Sequence, residues 1–176
     1  MSAIKHKEQR VGVLIDVQNL YHSARNIYSS RVNFKEVLKA AISGRKLVRA
    51  IAYVIKTESG EEKSFFEALT KLGIEMRIKD LQIFPGGMKK GDWDVGLAVD
   101  AVRLSHTLDA IVLITGDGDF VPLVEYLKFY SGLQVEVMAF ERSTSNKLIE
   151  EADMFTDLGS GPQYLLGNRN INKRTA

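Results

Sequence analysis

The chain has no cysteine and only three histidines among 176 residues. Without cysteine there is no disulfide and no thiolate metal site, and histidines scattered at 6, 22 and 106 offer no ligand spacing for zinc or copper. No apolar run approaches the roughly 20 residues that cross a bilayer. The opening Met1–Arg10 stretch lacks the apolar core of a secretory signal, so a cytoplasmic protein with no membrane partner is expected. Neither Gly-x-x-x-x-Gly-Lys-[Ser/Thr] nor Gly-x-Gly-x-x-Gly follows a candidate strand, which argues against two common nucleotide-binding designs. A dominant charge is also missing. Lysine and arginine number 24 against 22 acids, and a net charge of +2 dictates no partner. Distribution says more than the total. Lys5, Lys7 and Arg10 at one end and Arg169, Lys173 and Arg174 at the other are basic margins around an acidic centre, which would suit an anionic polymer.

At 45% hydrophobic and 26% charged residues the chain has the composition and length of one globular domain. Strand-like apolar runs at 11–16, 48–55, 74–79, 110–115 and 134–140 alternate with helical patterns at 18–29, 33–43, 61–72, 93–106, 119–131 and 144–151. That alternation is the signature of βαβ units and a mainly parallel sheet of about five strands, covered on both faces. Gly44, Gly73 and Gly132 fall where helix ends favour a left-handed residue. Residues 82–92, with three glycines and a proline, read as a loop beside the site. A basic arm over 1–10, a domain over 11–158 and a flexible tail over 159–176 complete the expected organisation.

The segment Ile111-Val-Leu-Ile-Thr115-Gly-Asp117-Gly-Asp119 reads as a buried strand running into an acid-bearing turn. In open α/β sheets ligands bind at the carboxyl ends of strands. An ordinary capped turn explains one aspartate and leaves the second redundant. Val11-Gly-Val-Leu-Ile-Asp16-Val-Gln-Asn19 repeats the pattern, although Asp16 or Asn19 could simply cap a helix. If the two strands are neighbours, Asp16, Asp117 and Asp119 converge. A third acidic segment, Lys89-Lys90-Gly-Asp92-Trp93-Asp94, opens a helix on which Asp94 shares the packed face with Leu97 and Ala101. Asp100 lies about 120° round that helix from Asp94 and reads as a supporting group. Such a carboxylate cluster repels itself and is tolerated when a hard cation neutralises it, which points to Mg²⁺ or Mn²⁺. Lys56, Lys89 and Lys90 are candidate phosphate contacts, and Trp93 could stack on a base.

Together, Asp16-Val-Gln-Asn19, Lys90-Gly-Asp-Trp-Asp94-Val-Gly-Leu-Ala-Val-Asp100 and Thr115-Gly-Asp117-Gly-Asp119-Phe-Val-Pro-Leu123 resemble the NYN domain family, and more narrowly its LabA-like branch, over about residues 11–157. The resemblance implies a three-layer α/β/α Rossmannoid sandwich of the PIN-like, FLAP-nuclease-like type and a Mg²⁺-dependent ribonuclease activity. The carboxylate chemistry admits Mn²⁺ as well, and single-stranded RNA is the expected partner. It implies Asp16, Asp94, Asp117 and Asp119 as catalytic metal ligands, with Asn19, Asp100 and Thr115 supporting. The family's Lys-Gly-x-Asp spacing is one residue longer here, leaving Asp92 and Asp94 as alternatives, and the Val95, Leu97, Asp100 register favours Asp94. Two other functions are compatible with the pattern: a catalytically quiet RNA-binding or regulatory domain, and a phosphatase of the haloacid dehalogenase type. Against the last, Asp16-Val-Gln lacks the second Asp such a nucleophile needs two residues on. A homo-oligomer is compatible with the sequence.

Overall fold

The computed structural model describes residues 3–57, 59–60 and 62–167. In chain order the elements are β1 Arg10–Asp16, α1 Val17–Tyr28, β2 Arg31–Val32, α2 Phe34–Ile42, β3 Lys46–Lys56, α3 Lys63–Lys71, β4 Glu75–Asp80, β5 Gln82–Ile83, β6 Lys89–Lys90 and α4 Asp94–Leu104. They continue with β7 Ala110–Ile114, α5 Val121–Phe129, β8 Gln134–Ala139, α6 Asn146–Glu151, β9 Met154–Asp157 and β10 Leu165–Leu166.

Six of the strands form one parallel sheet in the order β4-β3-β1-β7-β8-β9. Successive side chains of a strand point to opposite faces, so near-continuous apolar runs such as Val11–Ile15 and Ala110–Ile114 demand cover on both sides. The two faces are indeed separate cores. Val11, Val13, Ile15, Val112 and Ile114 pack with Leu20 and Ala24 of α1, Val37 and Leu38 of α2 and Leu69 of α3. Leu14, Ile111, Leu113, Val135 and Val137 pack with Leu97 and Ala101 of α4, Val124 and Leu127 of α5 and Leu148 of α6. This is the three-layer α/β/α sandwich expected from the sequence.

The strand order runs outward from β1 in one direction and then restarts at β7 on its other side. The topological switch point therefore lies between β1 and β7, where the carboxyl ends leave a crevice.

The structure departs from the sequence reading in three places. The sheet has six strands rather than five, because β9 is only four residues long and half-buried throughout, so it carries no clear apolar alternation. Residues 82–92 are not wholly a loop: β5 and β6 pair antiparallel as a short hairpin around Gly86 and Gly87, both at positive φ. Part of the stretch expected as a tail is docked. β10 pairs antiparallel with β2, and Tyr164 and Leu165 pack against the α1–α2 core. Arg169, Lys173 and Arg174 lie outside the described residues. Gly44, Gly73 and Gly132 adopt the positive φ their helix ends require.

At the opposite end of the sheet, Arg45 is buried and forms a two-pronged ion pair with Glu136, at 2.6 and 3.1 Å, while donating to the Ala41 and Ile42 carbonyls. This network ties α2 to β8 far from the switch point. Among the described residues, no helix is long and apolar enough to cross a membrane.

Candidate metal centre

The pairing of β1 with β7 brings Asp16 beside the turn that follows β7. Asn19 N–H donates to Asp16 Oδ1 at 3.2 Å, so Asp16 caps α1. Its other oxygen, Oδ2, accepts from the Thr115 hydroxyl at 3.0 Å. Asp117 N–H donates to Thr115 Oγ1 at 3.2 Å, and Gly116 N–H donates to Asn19 Oδ1 at 2.9 Å. Asp16 is thus both the α1 cap and a wall of the crevice, whereas the Asn19 side chain caps no helix and instead holds the turn after β7.

In the turn itself, Asp117 Oδ1 accepts from Asp119 N–H at 2.9 Å and caps the short 3₁₀ segment Gly118–Phe120. Of the two acids in the turn, Asp117 is the cap. Among the described residues no hydrogen bond engages the Asp119 carboxylate. The glycines serve close approach rather than positive φ. A Cβ on Gly116 would lie 2.7 Å from Thr144 Oγ1 and 3.2 Å from Thr144 Cα, and one on Gly118 would lie 2.8 Å from Ser145 Oγ. The space they leave is occupied by the 143–145 loop, which donates Ser145 N–H to Gly116 O at 3.1 Å.

α4 delivers the remaining acid. Asp94 stands in its first turn, and Asp92 Oδ1 accepts from Asp94 N–H at 3.4 Å. Asp94, Asp117 and Asp119 each offer a carboxylate oxygen, and these oxygens lie within 4.8 Å of one another. Asp16 and Asp92 border the same cavity, of about 250 Å³, together with Gln18, Asn19, His22, Ser23, Trp93, Asp94 and Asp117. Asp94, not Asp92, is in the three-acid group.

The electrostatics follow from crowding. Burial, then the charges of Asp117, Asp92, Asp16 and Asp119, push the Asp94 carboxyl up to about 6. Burial raises Asp16 as well, opposed by its bonds from Asn19 and Thr115. Among the described residues no Lys or Arg nitrogen lies within 4.0 Å of the Asp16, Asp94, Asp117 or Asp119 carboxylates. The donors are all oxygen, they converge, and among the described residues no ion pair balances them. That set fits a hard divalent cation.

Other residues singled out by sequence stand further out. Asp100 faces β3 and β4, where Tyr53 donates to its Oδ2 at 2.8 Å and Arg77 lies at 3.5 Å. Tyr53 in turn meets Trp93 edge-on at 5.5 Å. The Trp93 indole donates to Val54 O at 2.9 Å, and Lys79 Nζ sits 4.3 Å from its ring centre. Trp93 is thus an anchored wall of the cavity whose ring is partly covered. Gly96 is what lets it lie there, since a Cβ would fall 2.5 Å from Trp93 Cε3. Lys89 and Lys90 are exposed on β6 and Lys56 ends β3, outside the cavity lining. The sequence reading missed Gln18, His22 and Ser23 as lining residues. Their signal was the i, i+4 spacing of Gln18 and His22 behind an acid at a strand end.

Comparison with known proteins identifies the family and the fold. The NYN domain model matches residues 10–159. The chain is 23% identical over 167 residues to the Low amplitude and bright protein LabA of Synechococcus elongatus, covering 86% of this chain and 85% of that one. It is 27% identical over 172 residues to an uncharacterized protein of Methanocaldococcus jannaschii, covering 95% of this chain but 62% of the archaeal protein. The crystal structure of a protein of unknown function from Vibrio parahaemolyticus superposes with a TM-score of 0.84 at 32% identity, covering 93% of this chain and all of that one. With its nuclease-like fold and a family match over most of its length, this chain belongs to the NYN domain family and fits the LabA-like branch.

Proposed function

We propose that the protein is a metal-dependent ribonuclease of the cytoplasm, hydrolysing phosphodiester bonds of single-stranded RNA. The observation that carries this is the convergence of Asp94, Asp117 and Asp119 within 4.8 Å at the topological switch point, with no Lys or Arg within 4.0 Å among the described residues. Asp94, Asp117 and Asp119 would hold Mg²⁺ or Mn²⁺, and Asp16 would add a fourth carboxylate from the cavity lining. A bound ion of this kind activates a water and stabilises charge developing on a phosphate oxygen. The chain's own residues keep the geometry. Thr115 and Asn19 fix Asp16 and the acid-bearing turn, and Asp100 acts through Tyr53 and Trp93 to set the start of α4. Lys89 and Lys90 on the exposed hairpin are phosphate contacts at the rim.

The test is cleavage of end-labelled single-stranded RNA by the wild type and by Asp117→Asn, with Mn²⁺, Mg²⁺ or EDTA, resolved on a denaturing gel. The proposal expects cleavage that needs metal and disappears in the variant. Absence of cleavage by folded wild type on both RNA and matched DNA overturns it in favour of a binding or regulatory domain.

A further inference from the structure

A second cleft, of about 470 Å³, opens at the far end of α1, lined by Tyr21, Arg25, Ser29, Ser30, Arg31 and Leu166. It is joined to the acidic cavity by one helical stripe. At 100° per residue, Gln18, His22 and Arg25 fall within an arc of about 60°, and Ser29, the left-handed residue that ends α1, follows them. Gln18 and His22 line the acidic cavity, whereas Arg25 and Ser29 line the second cleft. Tyr21, on the flank of the stripe, is 46% exposed. Its ring stands edge-on to His22 at 5.6 Å, and its hydroxyl accepts from Arg25 Nη1 at 2.7 Å, so both aromatic rings are held in place at the surface.

The charge changes sign along this path. The cavity is acidic, while the second cleft carries two arginines that have no carboxylate within 4.0 Å among the described residues. A cation in the last turn suits the α1 dipole, which accounts for Arg25 but not for Arg31 beyond the helix. Surface aromatics held beside unpaired guanidinium groups are what a single strand needs: faces for bases and donors for phosphates.

We propose that α1 guides the nucleotides flanking the cleaved phosphate, with Tyr21 and His22 stacking on bases and Arg25 and Arg31 binding phosphates in the second cleft. This rests on the reading of the acidic cavity as a nuclease centre, and it adds a substrate-binding subsite remote from the metal ligands. From Gln18 to Tyr28 the helix rises about 15 Å, the length of roughly four stacked nucleotides.

The test is fluorescence anisotropy of a labelled 12-nucleotide oligouridine with the full chain in EDTA, where metal-dependent hydrolysis is silent. Arg25→Ala/Arg31→Ala should weaken binding at least tenfold and flatten the salt dependence, by about 0.7 in slope for each phosphate no longer neutralised. Tyr21→Ala should weaken binding at least fivefold, and Tyr21→Phe, which keeps the ring, should stay within twofold of wild type. Unchanged affinity and slope in the arginine double variant, or no RNA binding by the wild type, overturns the proposal. Hydrolysis of bis(p-nitrophenyl) phosphate by the wild type with Mn²⁺ reads the acidic cavity separately. Hydrolysis with RNA affinity unmoved by the variants defeats the guide alone. RNA affinity reduced in the variants, with no hydrolysis of the diester and no cleavage of RNA or DNA by the wild type, keeps the guide and defeats the nuclease.

Discussion

The Thr115 hydroxyl donates to Asp16 Oδ2 at 3.0 Å, joining the ends of two neighbouring strands that stand 99 residues apart in the chain. Beside it, Gly116 N–H donates to Asn19 Oδ1 at 2.9 Å across the same seam. The acid-bearing turn is therefore held by the start of α1, not by its own local geometry alone.

Asn19→Ala should cost about 1–3 kcal/mol, because it strands the buried Gly116 N–H. It should also weaken divalent-metal binding although Asn19 is not among the three converging acids. Urea denaturation with and without Mn²⁺ measures both effects, and a larger loss with metal present is the expected outcome.

Removing a charge from the cluster should stabilise the metal-free protein. The Asp94 carboxyl at about 6 stands some two units above its ordinary value, which corresponds to about 3 kcal/mol. Contact with solvent reduces this to about 1 kcal/mol. Asp94→Asn should therefore melt a few degrees higher than wild type in EDTA and lose the stabilisation that Mn²⁺ gives the wild type.

The same group sets a pH window. Folded Asp94 keeps its proton to about pH 6, whereas the unfolded chain releases it near the ordinary carboxylate value of 3.8. Its contribution to metal-free stability is complete below about pH 4 and is lost as pH rises through about 6. Metal binding runs the other way, strengthening as pH rises through about 6 because the ligand must be ionised. Thermal melts from pH 4.5 to 7.5 in EDTA and with Mn²⁺ should show these opposite slopes, both flattened in Asp94→Asn.

Away from the site, Glu136→Ala should cost about 3–5 kcal/mol, since it leaves the Arg45 guanidinium buried without its partner. Replacing both residues, Arg45→Met with Glu136→Leu, should cost much less. Chemical denaturation of the single and double variants decides this, and equal losses would contradict the assignment of the cost to the unpaired charge.

Gly116→Ala should destabilise by about 1–3 kcal/mol through overpacking against Thr144, whose Cα is too near to yield. The variant should also lose metal affinity as the turn shifts. A stability unchanged from wild type would mean that the 143–145 loop moves freely.

Much of this architecture was legible in the sequence because its signals are strong. The runs ending at Asp16 and at Ile114 are wholly apolar, as strands buried on both faces must be, and the acids follow at their carboxyl ends. Convergence of Asp94 with Asp117 and Asp119 was suggested by the position of Asp94 on the packed face of its helix. The remaining elements carry weaker sequence signals. β9 is short and half-buried, the 82–92 hairpin pairs only two residues a side, and β10 is recognisable only once β2 is in place to receive it. The roles of Gly116 and Gly118 depend on the distant 143–145 loop, so no local pattern could reveal that the space they leave is filled.

The most direct measurement is a crystal soaked in Mn²⁺, with an anomalous difference map recorded at the manganese edge. A peak is expected among the Asp94, Asp117 and Asp119 carboxylates, within coordination distance of their oxygens, and it should vanish in Asp117→Asn. A well-ordered cluster with no peak there at millimolar Mn²⁺, or a peak that survives the substitution unchanged, would contradict this expectation.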